Sequence, residues 1–204
     1  MNKKEEAYEK ALVILKLCST PYGFFAAYPG YDAVWARDSM IISLGASLLD
    51  NKFKNTFKNS ITTLAKNQSK NGQIPNAVDK FSKRKKHVDY KSIDSSNWFI
   101  IGNYIYKQRF KDFSLLKKYN KNILAAQKWI SYQDTGEDSM PEQQPTSDWF
   151  DAFPHRYGHT INTEALYYKS LTLLGKTKEA KKLKETINKS KDDKLWNGEY
   201  YVSY

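Results

Sequence analysis

Long and short junctions alternate along this chain, and that alternation limits its fold more tightly than any single motif. Apolar spacing predicts seven helices. The first covers residues 3–18, with Ala7, Ala11, Leu12, Ile14, Leu15 and Cys18 on one side. The second runs from near Arg37 to about Leu49, and the third spans about 52–68, with Phe53, Phe57, Ile61, Leu64 and Ala65 on one face. The fourth is "NWFIIGNYIYKQRF", opened by a Ser95 or Ser96 cap. The fifth spans about 112–132, the sixth is "INTEALYYKSLTLLG", ended by Gly175, and the seventh covers about 177–190. Links of a few residues join the second helix to the third, the fourth to the fifth and the sixth to the seventh. The other junctions are long: "STPYGFFAAYPGYDAVWA", "KNGQIPNAVDKFSKRKKHVDYKSIDSS" and "QDTGEDSMPEQQPTSDWFDAFPHRYGHT". Loops of this length in a compact domain are usually functional. Helix pairs stacked around an axis would bring all three to one end, where a site can be built. No β-strand and no sequence repeat is expected.

Composition narrows the classes. Hydrophobic residues at 40% and aromatics at 15% supply a core and argue against disorder. The 204 residues suit one domain, or one piece of a larger one. The net charge of +11 raises the question of nucleic acid. The lysines are scattered over helix surfaces, however, and the only dense basic run is Lys80 to His87, so no nucleic-acid partner is expected. A single cysteine, Cys18, excludes an internal disulfide framework and a multi-cysteine zinc site, and a buried thiol is expected. No apolar run approaches the length needed to cross a bilayer, and the N-terminus lacks a signal-type apolar stretch. A cytoplasmic setting without membrane contact is expected. No P-loop, Rossmann glycine pattern or Ser/His/Asp elbow is present, and no cofactor is expected.

The chemistry lies in the loops. In "VWARD", Trp35 offers a ring, Arg37 a planar fork of donors and Asp38 a hydroxyl acceptor at a helix start. The alternative is a first-turn acid with a neighbouring salt bridge. Asp94, in "HVDYKSIDSSNWFII", either serves the site or helps cap the helix that follows. In "PTSDWFDAFPHRYGHT", Asp148 and Asp151 bracket Trp149 and Phe150. A carboxyl wedged against rings is partly desolvated and keeps its proton, as a general acid requires. The alternative is an Asx-type turn. His155 and His159 lie nearby without an obvious third ligand, so no metal site is expected.

These loops resemble those of six-hairpin, (α/α)6-barrel glycoside hydrolases, most closely the amylo-α-1,6-glucosidase module of glycogen debranching enzymes. "VWARDSM" resembles the family's Trp-x-Arg-Asp at the start of its second helix, and "NGQIPN" its Asp-Gly-x-Ile-Pro loop, with Asn71 in place of Asp. "YKSIDSSNWFIIGNYIY" is similar to its Tyr-x-Ser-x-Asp-x-x-x-Trp-Phe segment. "SDWFDAFPHRYGHTINTEALYYKSL" resembles its Thr-Trp-Met-Asp-Ala stretch and the Asn-Ala-Leu-Trp-Tyr helix beyond. "LWNGEYY" is similar to the Phe-Trp-Asn-x-x-Gly-Tyr after the seventh helix. Neutral invertases and glucoamylases share much of this pattern.

The resemblance implies an all-α (α/α)6 toroid of helical hairpins, incomplete at about seven of twelve helices, with residues 1–204 as one truncated catalytic domain. It implies inverting, exo-acting hydrolysis of α-glucosidic bonds in glycogen-like glucans or oligosaccharides. Alternatives are an invertase-like sucrose hydrolase and a non-catalytic carbohydrate-binding remnant. Arg37 and Asp38 would bind hydroxyls of the terminal sugar, with Trp35, Asp94 and Trp149 beside it. Asp151 would be the general acid. Asp148, standing where Thr or Ser is common, is the alternative acid. The base would come from a later loop, and little or no turnover is expected from this stretch alone.

Overall fold

A computed structural model describes residues 2–80, 86–189 and 195–204. Eight helices and five very short strands occur among them. The helices are α1 (Lys3–Cys18), α2 (Ala36–Ala46), α3 (Lys54–Lys66), α4 (Asp94–Phe110), α5 (Ser114–Lys118), α6 (Asn120–Ser131), α7 (Ile161–Leu173) and α8 (Thr177–Asn188). The architecture is all-α, an incomplete toroid of helical hairpins.

Helix α4 is its hub, packed against α2, α3, α5, α6 and α7. Its sequence has no polar stripe, and nearly every residue from Asp94 to Asn103 is buried, as expected of a helix with neighbours all round. Helices α2, α4 and α7 pack in succession, while α3, α6 and α8 back onto them. One continuous core joins Met40 of α2, Phe57, Ile61 and Leu64 of α3, Phe99 and Ile100 of α4, Ile123 and Ile130 of α6, Leu171 of α7 and Leu183 of α8. Gly102 lets α2 approach closely, since a Cβ there would overlap the Met40 sulfur.

Helix α1 behaves differently. Asn2 and Glu5 close its N-terminus in a capping box. Of the apolar side read from the sequence, only Cys18 is buried, within a small cluster with Phe24, Ala46 and Phe53. Val13, Ile14 and Leu17 stand exposed, as do Ile41 and Leu48 on the neighbouring hairpin.

Three expectations need correction. The helix expected over about 112–132 breaks at Tyr119, whose backbone leaves the helical region at φ −106° and ψ 19°. Neither Ser95 nor Ser96 caps α4. The helix already begins at Asp94, both serines are buried in its first turn, and Ser96 Oγ accepts from the Ile74 amide at 3.1 Å. Strands also exist. β1 (Ser19–Thr20) and β2 (Gly23–Phe24) form a small antiparallel pair. β3 (Val34–Trp35), β4 (Ala77–Asp79) and β5 (His87–Asp89) form an antiparallel sheet in that order. Segments of two or three residues are too short for alternation to register in the sequence. The seventh expected helix ends at Asn188. Of the basic run from Lys80 to His87, residues 81–85 lie outside the described residues.

Candidate active site

The small sheet builds one wall of the site. Its register sets Val34 opposite Val78 and Val78 opposite Val88, and also Trp35 opposite Ala77 and Ala77 opposite Asp89. Successive strand residues point to opposite faces. Val34 and Val78 are therefore buried in the core. The other face presents Trp35, Ala77, Asp79, His87 and Asp89 to an open groove of about 750 Å³, which Tyr31 and Lys91 also line. The Tyr31 and Trp35 rings lie 6.2 Å apart. Asp89 is fixed by the Asn76 side-chain amide at 2.8 Å and the Lys91 amide at 3.2 Å. The Trp35 indole N–H is buried and has no acceptor among the described residues.

Where β3 turns into α2, Arg37 reaches across to α4 and donates to Asp94 Oδ2 at 2.8 Å. Asp94 is fully buried, and Ser92 donates to its other oxygen. Burial pushes the Asp94 carboxyl above the usual carboxylate range. Arg37 and Ser92 pull it back, and the nearby Asp148 adds to the rise. Arg37 remains one-fifth exposed, so part of its donor fork is open. Asp38, half-buried on the first turn of α2, makes no hydrogen bond or ion pair among the described residues.

The third long loop supplies the other carboxylates. The Ile93 amide donates to the Ser147 carbonyl at 2.8 Å, bringing this loop against the start of α4. The sequence predicts a carboxyl desolvated against rings, and the structure divides that expectation between two residues. Asp148 is buried, but Arg156 donates to one of its oxygens and the Phe150 amide to the other, at 2.9 Å for the amide. Asp151 is exposed beside Trp149, itself half in solvent. The Asx-type turn weighed as an alternative is therefore present, centred on Asp148.

Sequence reasoning missed Arg156. It is buried, its Nε donates to Ser203 Oγ at 3.0 Å, and its guanidinium lies 5.5 Å from the centre of the Phe150 ring. The signal was present in "PHRYGHT", where the histidines drew attention instead. Ser92 was also missed, although it stands two residues from Asp94. The histidines have separate surroundings: His155 contacts the rings of Phe153 and Tyr204, while His159 Nε2 is 3.7 Å from Asp138 and 3.8 Å from Glu142. Among the described residues no three His, Cys, Asp or Glu side chains gather to hold a metal ion. Glu164 on α7 is fully buried with neither oxygen hydrogen-bonded, and burial, with Asp138 and Asp134 nearby, drives its carboxyl well upward.

Fold and site together define a helical-toroid chain with a groove lined by carboxylates and rings. Residues 10–198 match the family described as amylo-alpha-1,6-glucosidase, and the chain belongs to that family. It is a glycoside hydrolase-like module. No curated protein matches it. Among the described residues no helix is long and apolar enough to cross a membrane.

Proposed function

We propose that this chain carries the sugar-binding clamp and general acid of an inverting, exo-acting glycoside hydrolase that cleaves α-glucosidic bonds of glycogen-like glucans. It acts in the cytoplasm and needs no cofactor. One observation carries the reading: in a chain of the amylo-alpha-1,6-glucosidase family, Arg37 is anchored on buried Asp94 while Asp38, unpartnered among the described residues, follows Trp35 of the groove wall by three positions. Anchoring fixes the direction of the remaining guanidinium donors before a ligand arrives, so less is lost in ordering them. Asp38 accepts from a sugar hydroxyl, and Trp35 and Trp149 cover its C–H faces.

Asp151 is the acid in this reading. A sugar seated on Trp149 covers its carboxyl, removes water and favours the protonated form that delivers a proton to the leaving oxygen. Asp148, engaged by Arg156 and the Phe150 amide, shapes the turn that presents Asp151. Inversion further requires a base on the opposite sugar face, about 6.5–9.5 Å away, to activate water. We assign that role to none of these residues.

The test is glucose release from maltose, limit dextrin and sucrose by the longest product of the reading frame that contains this chain. Glucose from dextrin, lost at least a hundredfold in Asp151→Asn, is the expected result. Hydrolysis of sucrose alone would make the protein invertase-like. No hydrolysis, with Arg37-dependent sugar binding retained, would reduce it to a binding module.

A further inference from the structure

Among the described residues three carboxylates are buried, and two of them, Asp94 and Asp148, are each gripped by an arginine. The third, Glu164, has no such partner. It stands in the first turn of α7, fully buried, with neither oxygen hydrogen-bonded. The charged groups that act on it, Asp138 and Asp134, are themselves acids. Both are fixed in place. Asp134 accepts from the amides of Asp138 at 3.0 Å and Ser139 at 2.9 Å, and Asp138 accepts from the Met140 amide at 2.9 Å. The other elements around α7 offer no counter-ion. Tyr167, one turn further along the helix, is buried and neutral, and Asn97 of α4 accepts from Ser170 of α7 at 2.9 Å. The Thr186 hydroxyl of α8 donates to the Asp138 carbonyl at 3.4 Å, while the lysines of α6 and α8, and Glu179, are exposed. His159, just before α7, lies 3.7 Å from Asp138 and 3.8 Å from Glu142 and makes no bond to Glu164.

A carboxyl so placed is tolerated with its proton and opposed without it. A buried charge that lacks a counter-ion costs more than the start of a helix returns to a carboxylate. Its position gives that proton a mechanical consequence. Asp148 and Asp151 lie on a loop whose base is closed by Gln143 and Gly158, which exchange backbone hydrogen bonds at 2.9 and 2.8 Å. Gln143 is buried, and its Oε1 accepts from the hydroxyls of Thr160 at 2.7 Å and Thr163 at 2.9 Å, at the head of α7. The turn that anchors this loop therefore also holds an acid with no room for a charge.

We infer that Glu164 is a proton-operated latch: protonated, it lets residues 134–143 pack against the head of α7, and on giving its proton to water it repels Asp134 and Asp138 and loosens the base of the loop that carries Asp151. The latch is fully closed below about pH 4.3, the ordinary glutamate value, and is released as pH rises through the higher value that burial, with Asp138 and Asp134, imposes in the folded chain. It needs no ligand and stands whether or not the loop serves a sugar.

The experiment is hydrogen exchange followed residue by residue, with each rate divided by that of an unstructured peptide at the same pH. In the parent chain the amides of Asp138, Ser139 and Gly158 are expected to lose at least about tenfold in protection between about pH 5 and pH 8, since one unit of raised pKa is a factor of ten. The Ile100 amide of α4 should stay level. Glu164→Gln keeps the shape, cannot ionise, and should hold all these amides level. Asp138→Asn keeps an acceptor for the Met140 amide but removes one repelling charge, and should move the parent's transition to lower pH. Level protection in the parent overturns the latch. An undiminished pH response in Glu164→Gln overturns it too, and its disappearance in His159→Gln would pass the role to the imidazole. If Glu164→Gln does not fold, Asp138→Asn decides: a transition that stays in place or moves to higher pH overturns the latch.

Discussion

Two buried aspartates in this molecule are each gripped by an arginine, and the two pairs are finished differently. Arg156 is sealed in: Asp148, Ser203 and the Phe150 ring occupy its surroundings, and its side chain is 4% exposed. Arg37 also grips a buried aspartate, yet its side chain is 20% exposed and its neighbour Asp38 is unpartnered among the described residues. The contrast separates a charge enclosed on every side from one that keeps contact with solvent. Both arginines neutralise a desolvated carboxylate, and only one keeps donors in reserve.

Substitution can break that contrast, most severely at the sealed pair. Arg156→Met leaves Asp148 buried without its counter-ion and is expected to cost about 3–5 kcal/mol in urea unfolding. Adding Asp148→Asn removes the stranded charge while keeping an acceptor for the Phe150 amide, and the loss should shrink to about 1–2 kcal/mol. A double variant no better than the single one would show that Arg156 acts through Ser203 and Phe150 instead.

At the open pair, Arg37→Met is expected to cost about 1–2 kcal/mol at pH 7, reduced by the solvent that already screens its guanidinium. Here the dependence on pH is diagnostic. The folded Asp94 carboxyl lies above its unfolded value, so the stability it contributes is full below about pH 3.9 and declines as pH rises through the raised folded value. Losing Arg37 raises that value further. The stability gap between variant and parent should therefore widen from acid to neutral pH and close below about pH 4. A gap constant from pH 4 to 7 would mean that Arg37 stabilises by packing rather than through Asp94.

The smallest effect belongs to Asp151. Being exposed, Asp151→Asn should shift unfolding by less than about 0.5 kcal/mol. A shift approaching that of Arg156→Met would erase the distinction between the residue that shapes the turn and the residue it presents.

Much of this arrangement was legible in the sequence because it rests on short-range periodicity. The 3.6-residue spacing located α1, α3 and α7, and adjacency alone exposed Trp35, Arg37 and Asp38 as a cluster. What stayed hidden depends on contacts remote along the chain. Arg37 and Asp94 were both candidates, but their pairing spans 57 residues and left no local trace. The site wall joins Trp35 to Ala77 and Ala77 to Asp89, a sheet whose strands are each too short to announce themselves. Asp148 and Asp151 carry the same side chain three positions apart, and only the fold decides which one meets Arg156.

Gly102 adds a consequence for how this site can vary. It lies about two turns along α4 from Asp94, where α2 comes so near that a methyl group would collide with the Met40 sulfur. Arg37 stands at the head of α2 and Asp94 at the head of α4, so the separation of these two helices also sets the reach of one charge to the other. A side chain at 102 would have to push the Met40 side chain out of the seam, and Met40 stands about one turn from Arg37 on α2. A position that touches neither charged residue is thus linked to them through one methionine side chain.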